Sequence, residues 1–446
     1  MNNKNIYRFT ALLFFVFTLT GFKSYAQEKW SLDSCVNYAI DNNITVKQKV
    51  LNVNYRENQH KQSRYDIVPN LNGEVGQGFS FGRSLNVVDN KYYDQNSSNT
   101  NIGLSTNVTL FNGLAKINTI KQREYEWQAA LQDLEKVKDD ISLNVVSAYL
   151  DILFNKELVA TAQQQLNITK QQIEYNKKQV EAGNMAKGKL LETEAQAANE
   201  ELTLTNYENN LQVSLLNIMQ LLELPVTDNF DVVTPDFDAG LLDVKLISSN
   251  EVFGKAVAER PEIISRELKL KSIEKENSIA KAQLYPSLGM SAFYRNDYQN
   301  YSGNNRSFSE QFKHNGKEGI SLTLRIPIFN SLQARTNLNN SLINYESSKY
   351  DLQLEKNNLL KQIQQVRLNA VAAMKKYYSS EKAVKSAKEA FRYVEEKFNL
   401  GIVTPLEYND SKNKVTNAQS SFIQAKYEYI FRIKILDFYN GKDITL

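Results

Sequence analysis

LLKQIQQVRLNAVAAMKKYYSSEKAVKSAKEAFRYVEEKF, residues 359–398, decides the fold. Small or apolar residues recur at Leu359, Ile363, Val366, Ala370, Ala373, Tyr377, Ser380, Val384, Ala387, Phe391, Val394 and Phe398, in steps of four and three without a slip. A period of 3.5 sustained this long predicts a helix that supercoils on its neighbours. Alanine and serine at several seam positions suit broad, shallow packing better than a tight two-stranded zipper. No Gly or Pro occurs between Pro327 and Gly401, and residues 319–329 just before the helix alternate apolar and polar as a strand does.

The same arrangement stands earlier in the chain. Strand-like residues 102–111 lead into a stretch between Gly113 and Gly183 without Gly or Pro, striped by Leu134, Ile141, Val145, Ala148 and Ile152. Ala39 pairs with Ala256 and Pro69 with Pro286 at an offset of 217, while Phe111-Asn112 pairs with Phe329-Asn330 and Gly183 with Gly401 at 218. Four landmarks in one register mark an internal duplication. The expected organisation is a first repeat at 27–223, a linker at 224–246 and a second repeat at 247–446. Strands are expected at about 69–84, 100–112, 286–301 and 318–329, and long helices at about 114–182 and 331–399.

Residues 1–26 carry Lys4 and Arg8, an apolar run and then Ser24-Tyr25-Ala26, the pattern of a secretory signal peptide cleaved after Ala26. No Cys stands near that site, which argues against a lipoprotein, and the single Cys35 has no partner for an internal disulfide. The leader takes three of the 53 basic residues and none of the 50 acidic ones, so the mature chain is formally neutral. Nucleic acid as a partner would need a basic face, and none is visible. Mean hydropathy is −0.48, and no helical membrane span follows the leader. Any meeting with a membrane must be made by strands.

Ser31 reads as the N-cap of a short amphipathic helix bearing Leu32, Cys35, Val36 and Ala39. A second helical stretch stops at Pro69. From there the period becomes two: Leu71, Val75, Phe79 and Phe81 alternate with polar residues and glycine, as do Ile102, Leu104, Val108 and Leu110. In the second half Leu288, Met290, Ala292 and Tyr294 precede a loop bearing Tyr298, Tyr301, Gly303 and His314, and Ile320, Leu322, Leu324, Ile326 and Ile328 follow it. These strands have about the 9 to 11 residues that a tilted transmembrane strand needs, with apolar and polar rows alternating as in outer-membrane barrels. Four strands close no barrel, and an open edge in lipid costs several kcal/mol per unpaired backbone group. The barrel is therefore expected to be shared between copies, three or more if it is to hold an open channel. The long helix spans about 100 Å. It needs partners, and the return stretches at about 187–222 and 406–439, stacked end to end with the short helices, supply them.

Leader, duplication, order of elements and the Phe-Asn-Gly and Phe-Asn-Ser steps from strand to helix together resemble the TolC-like outer membrane efflux proteins. The resemblance covers 27–446. It implies a mainly α protein with membrane β: a homotrimer whose 12 strands form one outer-membrane β-barrel continuous with a periplasmic α-helical barrel. It further implies a passive exit duct for efflux or type I secretion, working with a periplasmic adaptor (membrane fusion) protein and an inner-membrane pump of the RND or ABC class. It implies no cofactor and no catalysis. The turns at Gly183 and Gly401, with Val403 and Pro405, become the periplasmic tips where the adaptor docks. Glu407 and Asp410, six and nine residues after the second tip glycine, become an acidic ring at the entrance.

Spacing alone says only that Glu407 and Asp410 share one helix face. Phe398 is a candidate apolar constriction or simply the last seam residue. The chain departs from the family pattern at Val403, where a basic residue is expected, and at Lys189, where an acid is. Lys189 facing Glu407 or Asp410 is the candidate substitute link. His60 and His314, the only histidines, lie far apart, so no His-based metal site or catalytic triad is visible. The rival reading is a non-transporting periplasmic or surface coiled-coil scaffold or adhesin, which would keep the heptads but has no use for paired alternating hairpins.

Overall fold

The computed structural model describes residues 29–86, 90–94, 96–226, 230–235, 248–300 and 306–442. The expected leader, most of the expected linker, and Tyr301 and Gly303 lie outside them. The first half runs α1 (Leu32–Asn42), α2 (Ile44–Tyr65), β1 (Asn72–Ser80), β2 (Arg83–Asn86), β3 (Lys91–Asp94), β4 (Ser97–Asn112), α3 (Ala115–Glu181) and α4 (Lys187–Leu221). The second runs α5 (Ser249–Glu259), α6 (Pro261–Ala282), β5 (Ser287–Asn300), α7 (Phe308–His314), β6 (Lys317–Arg325), α8 (Gln333–Asn399) and α9 (Pro405–Tyr439). Helices of 11, 22, 67 and 35 residues recur in that order in both halves.

One antiparallel sheet of order β1-β4-β5-β6 joins the halves through its central pair. Directly paired residues share a face, so the register sorts the side chains. Val75, Ile102 and Asn296 lie on one face, as do Val108, Met290 and Leu322. Asn101 and Asp297 lie on the other, with Asn107, Ser291 and Ser321. The apolar face is uncovered: Val75, Ile320 and Leu322 are 74%, 78% and 65% exposed. Among the described residues neither β1 nor β6 has a strand on its outer side.

The strands differ from expectation at two ends. The one expected over 69–84 stops at Ser80, and Gly82, at φ 102°, turns the chain so that β2 pairs with β3 in a separate ribbon. The one expected to reach 329 stops at Arg325, because Pro327 has no N–H for the ladder. The step from strand to long helix uses two successive left-handed residues in both halves, Gly113 and Leu114 at φ 65° and 68°, Ser331 and Leu332 at 54° and 64°. At Gly113 a Cβ would sit 3.0 Å from the Ala282 carbonyl oxygen, so a side chain in the first copy would press the Ala282 backbone aside by a few tenths of an ångström.

In the helical part α3 packs against α2, α4, α6 and α9, and α8 against α5, α6 and α9. None of the twelve seam residues of 359–398 is exposed. Leu134, Ile141, Val145 and Ile152 of α3 are likewise buried, against Leu32, Cys35 and Ala39 of α1 and Ile218, Met219 and Leu222 at the end of α4. Each such aliphatic side chain contributes about 1.5 to 3 kcal/mol by leaving water. That burial holds helices whose isolated turns would fray. No described helix is long and apolar enough to cross a membrane.

The short helices stack on the return helices through different chemistry in the two halves. Asn43 donates from Nδ2 to the Leu221 carbonyl at 3.1 Å while its Oδ1 accepts from the Thr45 N–H at 2.9 Å, capping the end of α4 and the start of α2 at once. Arg260, 217 positions later, lies 4.2 Å over the Phe438 ring at the end of α9 and pairs with Asp139 of α3 at 3.1 Å. Phe230 and Val232 of the inter-repeat segment pack on this core. Val233 donates to the Trp30 carbonyl at 3.0 Å, and Tyr149 of α3 donates to the Val233 carbonyl at 2.6 Å.

Candidate functional site

The far ends of the helical hairpins turn in one way. Gly183, at φ 75°, donates to the Val180 carbonyl at 3.0 Å, and Asn184 to Gln179 at 2.8 Å. Gly401, at φ 74°, repeats this with Phe398 and with Ile402 to Lys397, both at 2.9 Å. Each is a left-handed helix stop. A Cβ at either glycine would meet nothing within 4 Å, so the backbone angle alone favours glycine.

Beyond the turns the tips diverge. At the second, Pro405 opens α9 and Thr404 caps it, with the Glu407 carboxylate accepting from the Thr404 N–H at 3.2 Å and the Glu407 N–H donating to Thr404 Oγ1 at 3.3 Å. Glu407 thus has a structural task as the third residue of a capping box. It remains exposed, as does Asp410 one turn on. Ala186 at the first tip makes no side-chain cap. Leu400, Ile402 and Leu406 leave the second tip apolar, at 75%, 67% and 71% exposure, with Val403 half-buried between them.

Phe398 and Lys189 meet inside one chain. The Phe398 ring stacks on Tyr408 at 4.4 Å between centroids, and the Lys189 ammonium lies 4.3 Å from the Phe398 centroid. Within the chain the cation takes the aromatic face rather than Glu407 or Asp410, while Glu407 is held to its own helix start. Half-buried Phe398 is engaged by its own hairpins. Burial pushes the Tyr408 phenol up to about 12, and its hydroxyl donates to Gln172 of α3 at 3.4 Å.

One turn further along α9 lies a buried polar node that the sequence reading missed. Lys412 Nζ stands 3.0 Å from Glu200 of α4, the two side chains only 6% and 11% exposed. Thr169 of α3 accepts from Lys412 and donates to Glu200. Gln196 adds a donor to Glu200 at 3.0 Å, so each charge has polar partners. Higher up, Lys426 meets Glu157 at 3.0 Å. The second hairpin is thereby tied to the first at three levels of α9. A lysine on the same helix face as Tyr408 was the available signal, but spacing within α9 does not name a partner on α4.

The family model for outer membrane efflux proteins matches residues 35–223 and 252–432. The chain is 21% identical over 316 residues to the alkaline protease secretion protein AprF of Pseudomonas aeruginosa, covering 70% of this chain and 64% of that relative's length. It is 22% identical over 411 residues to the toxin and drug export protein A of Aggregatibacter actinomycetemcomitans, covering 90% and 83%. The fold superposes on a crystal structure of CusC with a TM-score of 0.79 at 18% identity, covering 92% of both chains. A two-faced sheet continuous with hairpins built on 67-residue helices, and a match over most of the chain, lead to one conclusion: the protein belongs to the outer membrane efflux protein family and sits in the Gram-negative outer membrane, extending into the periplasm.

Proposed function

We propose that three copies form the outer-membrane exit duct of a tripartite efflux or type I secretion system, conducting cargo passively from an inner-membrane pump to the outside. The open edges of β1 and β6 carry the reading. In lipid those unpaired rows cost several kcal/mol per group, and pairing β6 of one copy with β1 of the next removes the cost in a closed ring. Three copies give 12 strands and a lumen lined by the polar face, whereas two would give an eight-stranded barrel filled by its own side chains.

The helical layer supports the same ring. Leu191, Leu202, Val213 and Leu216 of α4, and Ile343, Tyr350, Leu354 and Leu368 of α8, are exposed on helices at opposite sides of the protomer. Two different patches that fit each other close a ring by head-to-tail contact. The tips are the adaptor's docking surface, through Leu400, Ile402 and Leu406. The relatives named for protease secretion and for toxin and drug export suggest cargo from small molecules to proteins, selected by the pump. Purified protein should run as a heat-modifiable trimer in detergent and give ion conductance in planar bilayers. A water-soluble monomer without conductance would overturn the reading.

A further inference from the structure

Short helix α7 interrupts the loop between β5 and β6 at the end of the sheet remote from the long helices. Ser307 caps it, and Gln311, 3% exposed, clamps it to the strand: Gln311 accepts from the Gln299 N–H and donates to the Gln299 carbonyl, both at 3.0 Å. Asn315 adds a bond to the Asp297 carbonyl at 2.6 Å. The helix is therefore fixed to the wall at its middle and at its C-terminal end.

The face on which it leans is the informative point. Asn296 is paired with Ile102 on the apolar side of the sheet, yet it is 1% exposed, with Nδ2 donating to the Phe312 carbonyl at 2.5 Å. Tyr298, two residues on and on the same side, meets the Phe308 ring edge-on at 5.0 Å. A carboxamide in a row of Ile, Met and Ala is costly unless covered and bonded; α7 covers it and accepts from its Nδ2 through the Phe312 carbonyl, while Oδ1 stays without a partner. Phe308 and Phe312, one helical turn apart, stack at 5.7 Å and remain 49% and 40% exposed. They stand past Glu318, before the start of β6, on the side of the sheet that carries the uncovered Ile320, Leu322 and Leu324.

We propose that α7 is an interfacial foot: Phe308 and Phe312 insert at the boundary between headgroups and acyl chains of the outer leaflet, fixing the height of the barrel in the membrane. The inference rests on the apolar face of the sheet being the lipid face. A place on that same side of the sheet and a doublet of rings beside a wet helix side select a lipid surface as the occupant. Charge does not, since Lys313 and Lys317 are offset by Glu310 and Glu318. The foot should accordingly hold neutral and anionic lipids alike.

The test uses the full chain reconstituted in phosphatidylcholine vesicles, with and without phosphatidylglycerol. Cys35, the only cysteine, is fully buried, so an introduced thiol takes a nitroxide label selectively. Labels are placed by Phe312→Cys, by Lys313→Cys with both rings intact, by Ile320→Cys on the apolar face and by Ser321→Cys on the polar face. Spin relaxation by oxygen reports lipid, and relaxation by a water-soluble nickel chelate reports solvent. The expected order of oxygen preference is 320, then 312 and 313, then 321, unchanged by lipid charge. Labels at 312 and 313 as water-exposed as that at 321, with 320 in lipid, overturn the foot alone. A label at 320 in water overturns the lipid face and the foot with it.

Discussion

Asn43 reaches the Leu221 carbonyl, 178 positions away, at 3.1 Å and so joins two helices into one continuous rod. The residue is 6% exposed and serves both helix ends. Asn43→Ala should cost about 1 to 2 kcal/mol through loss of the cap and an unsatisfied carbonyl. Asn43→Asp should do no better, since it keeps the α2 cap but sets a carboxylate against the negative end of α4. Thermal unfolding of the detergent-solubilised protein, followed by helical circular dichroism, measures both.

Lys412 and Glu200 are charged groups removed from water, and their value depends on each other. Lys412→Ala strands the carboxylate and should destabilise by about 3 to 5 kcal/mol. The double substitution Lys412→Met with Glu200→Leu should recover most of that loss, because well-packed apolar replacements of buried pairs are often neutral. Denaturant titration of the three proteins distinguishes the cases: a double variant as unstable as the single one would show that the pair's charges are not the cause.

Acid should loosen the clasp between the start of the described chain and the segment between the repeats. Burial pushes the Asp231 carboxyl up, but bonds from Lys156, Lys29 and the Val232 N–H outweigh it and hold the group below its usual range. A depressed carboxyl stabilises fully above its unfolded value near 3.9 and loses that contribution as pH falls through the folded value. Exchange protection of the Val233 amide should drop below about pH 4, and Asp231→Asn should remove this acid dependence.

Glu407 allows its charge to be separated from its structural task. Glutamine serves equally well as the third residue of a capping box, so Glu407→Gln with Asp410→Asn should leave the start of α9 intact. Single-channel conductance of the double variant should lose block by multivalent cations, which a ring of carboxylates would attract. Undiminished block would remove both residues from the entrance.

What the sequence made legible is what short-range periodicity encodes. The seam of 359–398 packs along its whole length, Gly183 and Gly401 sit in left-handed turns, and the alternation in the hairpins separates two faces of one sheet. Contacts between helices distant in the chain were not legible, since Lys412 and Glu200 or Asn43 and Leu221 meet only after folding. The contact of Lys189 with the Phe398 ring joins the two tips across 209 positions and likewise left no trace in local spacing. Helix α7, at seven residues, is shorter than two turns and carries no period to detect.

The uncovered flanks of the β1-β4-β5-β6 sheet bear on biogenesis. In the proposed shared barrel a lone newly made subunit would have no resting place in the bilayer, so insertion and assembly would be one event and the ring, not the polypeptide, the unit of quality. A copy damaged along either flank would therefore spoil its sound siblings as well as itself, and such alleles should behave as dominant when expressed beside the intact gene.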